Sequence, residues 1–275
     1  MKRGLIVVTD LDGSLLDTHY RWEAAKPSLD RLRSHHFPLV LNSSKTLEEM
    51  IPLAAELGTN APIVAENGGV IAQPMAMKDG PGEVLGDYWV RSAGITRTTI
   101  LDVAHHLRTT AGYAFAGFAD WSVGEIAACT GLNQEDAHRA SQRLATEPIL
   151  WDKHDTRWQA FCQALTPHQI RTLRGGRFIH LMGPADKADG LRSVIKLYQD
   201  RFPETQWTSV ALGDSPNDQD MLLAADIAVV IPNAHGRSLE IDQPNTIRVE
   251  QAGPAGWDSG MQQLLDTYLS DQQGY

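Results

Sequence analysis

The chain is predicted to adopt an α/β fold, a doubly wound Rossmann-like core with a second domain inserted into its sequence. Residues 5–8 and 210–212 are short apolar segments without polar alternation, the pattern of strands buried on both faces of a parallel sheet. Segments with helical periodicity follow such strands near both ends of the chain, and the middle differs in texture. In sheets of this kind, ligands bind at the carboxyl ends of the strands.

The first half of the predicted core alternates strands with helices. After the strand at residues 5–8, Pro27 opens a helix, because proline is favoured in a first helical turn. Residues 38–41 form a second strand, and residues 46–57 form a helix that Gly58 ends. A third strand is predicted at residues 63–65. This part of the chain therefore supplies three parallel strands.

The same alternation returns near the C-terminus. Residues 188–198 carry apolar side chains at helical spacing, and the strand at 210–212 is followed by a helix at 216–224 and a strand at 227–231. We therefore assign residues 1–82 and 185–275 to the core and residues 83–184 to an inserted α+β cap. The turn-rich segment 73–86 is the predicted linker.

Composition limits the classes of partner. The 275 residues include 24 Lys and Arg against 34 Asp and Glu, a net charge of −10 that disfavours nucleic acid and anionic membranes. The apolar run at residues 5–8 is far too short for a signal core or a membrane span. Two cysteines make no disulfide framework. We expect a cytoplasmic protein with no nucleic-acid or membrane partner; the sequence leaves its oligomeric state open.

Two acidic turns follow predicted strands. The segment DLDGS at residues 10–14 follows the first strand, and GDSPND at residues 213–218 follows the strand at 210–212. Each alone is equally well explained as an ordinary turn or a capped helix start. Together, at the ends of two strands, they bring the carboxylates of Asp10, Asp12 and Asp214 to one place. Carboxylate oxygens are ligands that Mg²⁺ prefers.

Two further segments can hold an anion. The hydroxyl-rich segment NSSKT at residues 42–46 precedes a helix, where backbone N–H groups attract negative charge. Lys187 precedes another predicted helix. A helix cap and a solvated lysine explain these two features equally well, so their functional interpretation depends on the acidic turns.

In this order, the four segments resemble the motifs of the haloacid dehalogenase-like phosphatase superfamily, with Ser43 and Lys187 as its hydroxyl and lysine. Finer features are similar to its mannosyl-3-phosphoglycerate phosphatase family, and they cover nearly the whole chain. One departure is Ala188, where that family usually has glycine. The features are the segment SSKT at 43–46 with Glu49, ENGG at 66–69, EI at 125–126 with TGL at 130–132, GRF at 176–178 with His180, and GPAGW at 253–257.

The resemblance implies a mechanism. Asp10 is the expected nucleophile, which forms an aspartyl-phosphate, and Asp12 is the expected general acid and base. Magnesium is expected at Asp10, the backbone carbonyl of Asp12, and Asp214. Ser43 and Lys187 are expected to hold the phosphate oxygens.

The remaining implied roles concern the surroundings of the metal and the substrate. Asn217 and Asp218 are expected to orient metal-bound waters or Lys187. Arg177 and His180 are expected to recognise the carboxylate of a glycerate ester, since a guanidinium can pair with a carboxylate at two points. The full set of expected substrate contacts is Ser44, Lys45, Glu49, Glu66, Asn67, Gly68, Arg177, His180 and Ser215.

The expected activity is therefore Mg²⁺-dependent hydrolysis of mannosyl-3-phosphoglycerate, or its glucosyl analogue, in compatible-solute synthesis. Other enzymes of the superfamily share the same core motifs, so a sucrose-phosphate type of phosphatase, another sugar-phosphate phosphatase or a phosphomannomutase remains an alternative. A sugar-phosphate sensor without catalysis is disfavoured, because a pure binding protein has no need of the nucleophile Asp10.

Overall fold

The computed structural model of the chain describes residues 2–273 and contains a parallel sheet with helices packed against it. The strands are β1 (Lys2–Thr9), β2 (Leu39–Asn42), β3 (Ile63–Ala65), β4 (Val70–Pro74), β5 (Glu83–Leu85), β6 (Tyr88–Ser92), β7 (Phe115–Gly117), β8 (Thr146–Trp151), β9 (Arg171–Arg174), β10 (Ile179–Met182), β11 (Thr205–Gly213), β12 (Ile227–Val230) and β13 (Thr246–Arg248). The helices are α1 (Lys26–Ser34), α2 (Leu47–Leu57), α3 (Arg97–Ala111), α4 (Val123–Thr130), α5 (Gln134–Ser141), α6 (Trp158–Leu165), α7 (Lys187–Arg201), α8 (Gln219–Ala224) and α9 (Gly253–Gln273).

The described chain divides into two compact units. The first comprises the chain up to Ser43, residues 54–63, and everything from Lys187 onward. The second comprises residues 44–53 and 64–186. Residues 64–82 thus group with the second unit, although the sequence assigned them to the core. The predicted cap boundaries at residues 83 and 184 remain a prediction.

The first unit contains a parallel sheet with the strand order β13-β12-β11-β1-β2. Its centre is the long pairing of β1 with β11, in which Thr9 lies opposite Leu212. Leu5, Ile6 and Val7 have no exposed surface, as the unalternating apolar pattern predicts for a strand covered on both faces. The predicted α/β class is confirmed. The matched register brings the C-terminal ends of β1 and β11 side by side.

The second unit contains an antiparallel sheet with the order β7-β8-β10-β9. Helices α3 and α6 pack against it through Ile100 and Phe161, both fully buried. A smaller core forms around Phe118 and Ile126, onto which Phe178 packs. Phe178 meets Phe118 edge to face, with 5.3 Å between ring centroids. This mixture of helices and antiparallel strands has the α+β character predicted for the middle of the chain.

The segment predicted as a linker is more ordered than expected. Residues 73–86 include the end of β4 and all of β5, and β5 pairs with β6 across a turn at Gly86 and Asp87. Turn-forming residues dominate this segment and hide its short strands from a periodicity analysis. Among residues 2–273, no helix is both long enough and apolar enough to cross a lipid bilayer.

Candidate active site

The candidate site begins where β1 ends, at Asp10. The amide of Asp10 donates to the carbonyl oxygen of Leu212 at 2.9 Å, which continues the β1–β11 pairing past the last strand residue. Behind it, Thr9 donates from Oγ1 to the Asp10 carbonyl at 2.7 Å and accepts from Trp257 Nε1 at 2.9 Å. The backbone that carries Asp10 is therefore fixed from the strand side and from helix α9.

Lys187 joins the two acidic turns. Its Nζ lies 2.5 Å from Asp10 Oδ1 and 2.6 Å from Asp218 Oδ1. The lysine is 1% exposed and Asp218 is 0% exposed. Burial lowers the pKa of Lys187, but the charges of Asp10 and Asp218 outweigh this effect and raise it. Lys187 therefore remains an ammonium group and neutralises part of the carboxylate charge.

Both carboxylate oxygens of Asp218 accept hydrogen bonds from the protein. While Oδ1 accepts from Lys187, Oδ2 accepts from the amide of Ser215 at 3.0 Å, from Ser215 Oγ at 3.0 Å and from the amide of Asp214 at 3.2 Å. These bonds form a capping box at the start of a short 3-10 helix, Pro216–Asp218. Ser215 Oγ also contacts Asn217 Oδ1. Asp218 thus orients Lys187 and shapes the turn that carries Asp214.

Asp214 is the least satisfied carboxylate of the cluster. It is 7% exposed, and its buried Oδ1 has no hydrogen-bond partner within residues 2–273. Burial, reinforced by the charge of Asp218, raises its pKa to about 7. Burial and Asp218 likewise raise the pKa of Asp10, and the nearby Lys187 only partly reverses this. Asp10, Asp214 and Asp218 therefore repel one another when ionised, and a bound cation would reduce this repulsion.

The cluster has the donor set of a metal centre. One carboxylate oxygen from each of Asp10, Asp214 and Asp218 lies within 4.8 Å of the others. Since Asp218 already accepts from Lys187 and Ser215, Asp10 and Asp214 are the better ligands, and the orphaned Asp214 Oδ1 fits a cation. The Asp12 side chain is exposed and is not part of this cluster, and the predicted metal contact through the backbone carbonyl of Asp12 remains a prediction.

Glycine is required beside this cluster. Gly13 has φ +87°, and a Cβ atom there would lie 2.5 Å from Asp214 Oδ2. A side chain would therefore be strained by the backbone and would also collide with the carboxylate. This explains the glycine in the DLDGS segment more specifically than a general preference for turns.

Asn42 is a contact that the sequence interpretation missed. Its Nδ2 donates to the backbone carbonyl of Lys187 at 2.9 Å, and its side chain is 0% exposed. Ser43, the predicted phosphate contact, follows it and is 1% exposed. Asn42 thereby fixes the start of α7, from which Lys187 extends. Its place at the end of a strand, beside a hydroxyl-rich loop, is the one signal that could have identified it.

Several predicted substrate contacts lie in the second unit, and the carboxylates of Glu49 and Glu66 there accept hydrogen bonds from neighbouring protein groups. Glu49 Oε2 accepts from the amide and the hydroxyl of Thr46, at 2.8 and 3.0 Å, and forms a capping box for α2. Glu66 is fully buried and accepts from the amides of Leu144 and Ala145, at 2.7 and 3.1 Å. It also accepts from Thr146 Oγ1 at 2.6 Å. Their expected contacts with a sugar remain predictions.

The turn at residues 66–68 is unusual in its backbone. Glu66, Asn67 and Gly68 all have positive φ, at 52°, 55° and 91°. At Gly68 a Cβ atom would lie 1.9 Å from the carbonyl oxygen of Asp186, so only glycine fits. Strained turns of this kind persist where surrounding bonds hold them, and the three hydrogen bonds to the Glu66 carboxylate do so here.

Arg177 and His180 differ in their surroundings. Arg177 is exposed in the loop between β9 and β10, closed by a 2.9 Å bond from the Gly175 amide to the Phe178 carbonyl. His180 lies on β10, and its buried Nδ1 has no hydrogen-bond partner in the described chain. Burial and the nearby Arg143 lower the pKa of His180 to about 3, so its imidazole is neutral. Ser44 and Lys45 are half-buried at the start of the second unit.

Comparisons with known proteins agree with these motifs. A family model described as haloacid dehalogenase-like hydrolase matches residues 7–80. Over 267 residues, the chain is 31% identical to the glucosyl-3-phosphoglycerate/mannosyl-3-phosphoglycerate phosphatase of Methanococcoides burtonii, an alignment that covers 94% of this chain and 97% of that protein.

Solved structures show the same fold at low identity. A protein of Thermoplasma acidophilum superposes with a TM-score of 0.65 at 15% identity and covers 98% of this chain and 99% of its own. A haloacid dehalogenase-like hydrolase from Bacteroides thetaiotaomicron gives a TM-score of 0.63 at 18% identity, over 96% of this chain and 100% of its own. These similarities support the fold alone.

Proposed function

Because this chain belongs to the haloacid dehalogenase-like hydrolases, and within them to the glucosyl-3-phosphoglycerate/mannosyl-3-phosphoglycerate phosphatase family, we propose that it hydrolyses mannosyl-3-phosphoglycerate or its glucosyl analogue with Mg²⁺ as cofactor. The chain is a phosphoric monoester hydrolase that acts on a small phosphorylated molecule. One structural observation supports the proposed chemistry above all others: the buried lysine that pairs with Asp10 next to the unsatisfied carboxylate of Asp214.

Magnesium suits the donor atoms of the acidic cluster. Asp10 and Asp214 offer carboxylate oxygens, and the backbone carbonyl of Asp12 is the third proposed ligand. Hard oxygen donors of this number leave room for waters and a phosphate oxygen, which Mg²⁺ prefers to retain. When bound, the ion supplies positive charge that offsets the repulsion between a phosphate dianion and the carboxylates. Asn217 and Asp218 are proposed to orient its waters and Lys187.

Asp10 is proposed as the nucleophile. A carboxylate oxygen of Asp10 forms a bond to phosphorus as the bond from phosphorus to the ester oxygen breaks, so an aspartyl-phosphate replaces the substrate ester. Asp12 donates a proton to the departing oxygen. It then takes a proton from the water that attacks phosphorus, which frees Asp10 and releases inorganic phosphate. The exposed position of Asp12 suits a group that must exchange protons with substrate and water.

Ser43 and Lys187 are proposed to hold the phosphate oxygens. Lys187 is buried and charged, and donors fixed in this way stabilise negative charge without having to reorganise during the reaction. Its contact with Asp10 also lowers the pKa of the nucleophile, which partly offsets the rise caused by burial. Asn42 and Asp218 position this lysine through its backbone carbonyl and its ammonium group.

The predicted cap, residues 83–184 of the second unit, is proposed to recognise the leaving group. Arg177 is exposed and makes no hydrogen bond or ion pair with residues 2–273, so its guanidinium is available for a glycerate carboxylate. The neutral imidazole of His180 can donate one hydrogen bond to a substrate hydroxyl group or accept one from it. Ser44, Lys45, Glu49, Glu66, Asn67, Gly68 and Ser215 complete the proposed substrate contacts.

The protein is proposed to work in the cytoplasm. The free thiols Cys129 and Cys162 fit the reducing conditions there.

Phosphate release from a substrate panel tests this function. The panel contains mannosyl-3-phosphoglycerate, glucosyl-3-phosphoglycerate, sucrose 6-phosphate and mannose 6-phosphate, each with Mg²⁺ and with a chelator. We expect kcat/KM for the two glycerate esters to exceed that for the others by about a hundredfold. Equal or faster hydrolysis of the sugar phosphates without glycerate would contradict the substrate. Isomerisation of mannose 6-phosphate to mannose 1-phosphate would instead indicate a mutase.

A further inference from the structure

The second unit contains a cavity that none of the predicted site residues lines, although Leu144 in its wall donates to Glu66. It has a volume of about 670 Å³, and its walls are β5 with the residues before it, the C-terminal half of β6, the first turn of α3, and residues 143–144. Volumes of this size are typical of sites for small organic molecules. We call this the arginine cavity, after Arg91, Arg97 and Arg143 in its wall.

Positive charge dominates the wall of the arginine cavity. Glu83 is the one acidic residue among the lining residues, against three arginines. Arg97 is already paired, since its Nε lies 2.8 Å from Oε2 of the buried Glu147. Arg91 is half-buried and, within residues 2–273, its side chain makes neither a hydrogen bond nor an ion pair. A half-buried guanidinium loses part of its hydration, and without a protein partner no hydrogen bond or ion pair compensates for that loss.

Arg143 adds a second incompletely satisfied guanidinium. Its side chain is 6% exposed, and its Nη1 donates to Thr146 Oγ1 at 2.7 Å. Its buried Nε has no partner in the described chain. The nearest carboxylate oxygen, Glu66 Oε2, lies 4.0 Å away and accepts from Thr146 and Ala145 instead. Both Arg91 and Arg143 therefore retain N–H donors that the protein does not use.

The rest of the wall suits an organic anion better than a bare inorganic one. Ser92 and Thr98 contribute hydroxyl groups, and α3 begins here with Thr96 as its N-cap. Val84 is 61% exposed and Leu85 is 36% exposed, so the wall also offers apolar surface to a ligand. A ligand with an anionic group and a hydrocarbon part would satisfy the guanidinium donors and cover these side chains.

We propose that the arginine cavity is a binding site for a small organic anion, with its carboxylate or phosphate group at Arg91 and Arg143 and its apolar part at Val84 and Leu85. Charge-assisted hydrogen bonds to a guanidinium are favoured when both groups are removed from water. The residues that form this site differ from those of the acidic cluster, so its occupancy does not depend on the proposed phosphatase mechanism.

Isothermal titration calorimetry on the full chain tests the site. The probes are benzoate and phenylphosphonate, with benzyl alcohol as a neutral control. The protein is stripped of metal with a chelator, which is then removed by dialysis because it is itself an organic anion; the metal-free acidic cluster repels anions. We expect saturable binding of at least one anion, weakened about tenfold or more in Arg91→Ala and less in Arg91→Lys, which keeps the charge. Arg174→Ala removes an exposed arginine of the same unit outside the cavity and should bind as wild type.

The possible results separate clearly. Binding of benzoate alone assigns a carboxylate ligand, and binding of phenylphosphonate alone assigns a phosphate ligand; either supports the site. No saturable heat from wild-type protein at about 10 mM probe would overturn it. Equal affinity for benzyl alcohol, or equal weakening in Arg91→Ala and Arg174→Ala, would also overturn it. If Arg91→Ala does not fold, Arg91→Lys against Arg174→Lys provides the same comparison.

Discussion

The ammonium group of Lys187 lies 2.5 Å from Oδ1 of Asp10, although 177 positions separate the two residues in the chain. The same ammonium group lies 2.6 Å from Asp218. One buried cation thus joins the turn after β1 to the turn after β11 and opens helix α7. Structural stability and the proposed chemistry both depend on this contact, which makes it the natural starting point for experiments.

Replacing Lys187 should destabilise the fold. Lys187→Met keeps most of the apolar stem but leaves Asp10 and Asp218 buried without their cation, and breaking a buried ion pair in this way costs about 3–5 kcal/mol. The measurement is the free energy of unfolding by denaturant. Lys196→Met is the control, because Lys196 pairs with Asp200 on the surface and the two side chains are 74% and 57% exposed. A loss in Lys187→Met no larger than in this control would contradict the structural role of Lys187.

Metal-free protein should lose stability as pH rises. Burial and the charge of Asp218 raise the pKa of Asp214 from 3.8 to about 7. A carboxyl group with a raised pKa stabilises the folded state while it is protonated, and that contribution disappears as pH rises from its ordinary pKa through the folded one. We therefore expect the unfolding free energy, measured with chelator, to fall between about pH 4 and 7.

Magnesium should reverse this trend. Binding requires ionised Asp10 and Asp214, so the stabilisation by Mg²⁺ should be larger at pH 8 than at pH 6. Asp214→Asn is the informative variant, since it removes the titrating group. In this variant the pH dependence should shrink and the Mg²⁺ effect should weaken. Equal stabilisation by Mg²⁺ at both pH values in wild type would argue against a metal bound by these carboxylates.

Much of this arrangement could be predicted from the sequence. Strands β1, β2 and β11 were predictable because their apolar residues are consecutive, the signature of strands covered on both faces. The acidic turns were predictable because they follow those strands directly. The contact of Asn42 with the Lys187 carbonyl was not, since it joins residues 145 positions apart and neither has a periodic pattern.

Other features depend on tertiary contacts that local patterns do not contain. Glu66 looks like a candidate ligand in sequence, yet its carboxylate accepts hydrogen bonds from Leu144, Ala145 and Thr146. The strands within residues 73–86 were hidden because turn-forming residues surround them. The sequence could not predict that the Arg91 guanidinium is unpaired, because this depends on which partners all the neighbouring side chains have in the folded chain.

Asp12 should matter most for poor leaving groups. If Asp12 protonates the departing oxygen, Asp12→Ala should slow hydrolysis of an alkyl phosphate by about 10²–10⁴-fold. Hydrolysis of p-nitrophenyl phosphate should slow much less, because nitrophenolate leaves without a proton. The measurement is the ratio of the two kcat/KM values in wild type and variant. An equal loss for both esters would mean that Asp12 is not the general acid.

Arg177 should matter only for substrates with a carboxylate. Arg177→Ala should weaken binding of the transition state for mannosyl-3-phosphoglycerate by about 2–5 kcal/mol and lower kcat/KM accordingly. An aryl phosphate should be hydrolysed at nearly the wild-type rate. Arg177→Lys should restore only part of the loss, since an ammonium group cannot pair with a carboxylate at two points. Arg174→Ala is the matched control on the neighbouring strand. An unchanged substrate ratio would remove Arg177 from substrate recognition.

The most direct test of the proposed mechanism is phosphate release by Asp10→Asn in the presence of Mg²⁺. Asparagine keeps the size and removes the attacking charge, so the rate should fall by about 10³-fold or more. Circular dichroism and denaturant unfolding check that the variant is folded, which we expect because Asn can still accept from Lys187. Folded Asp10→Asn that retains more than about a tenth of wild-type activity would contradict a covalent intermediate on Asp10.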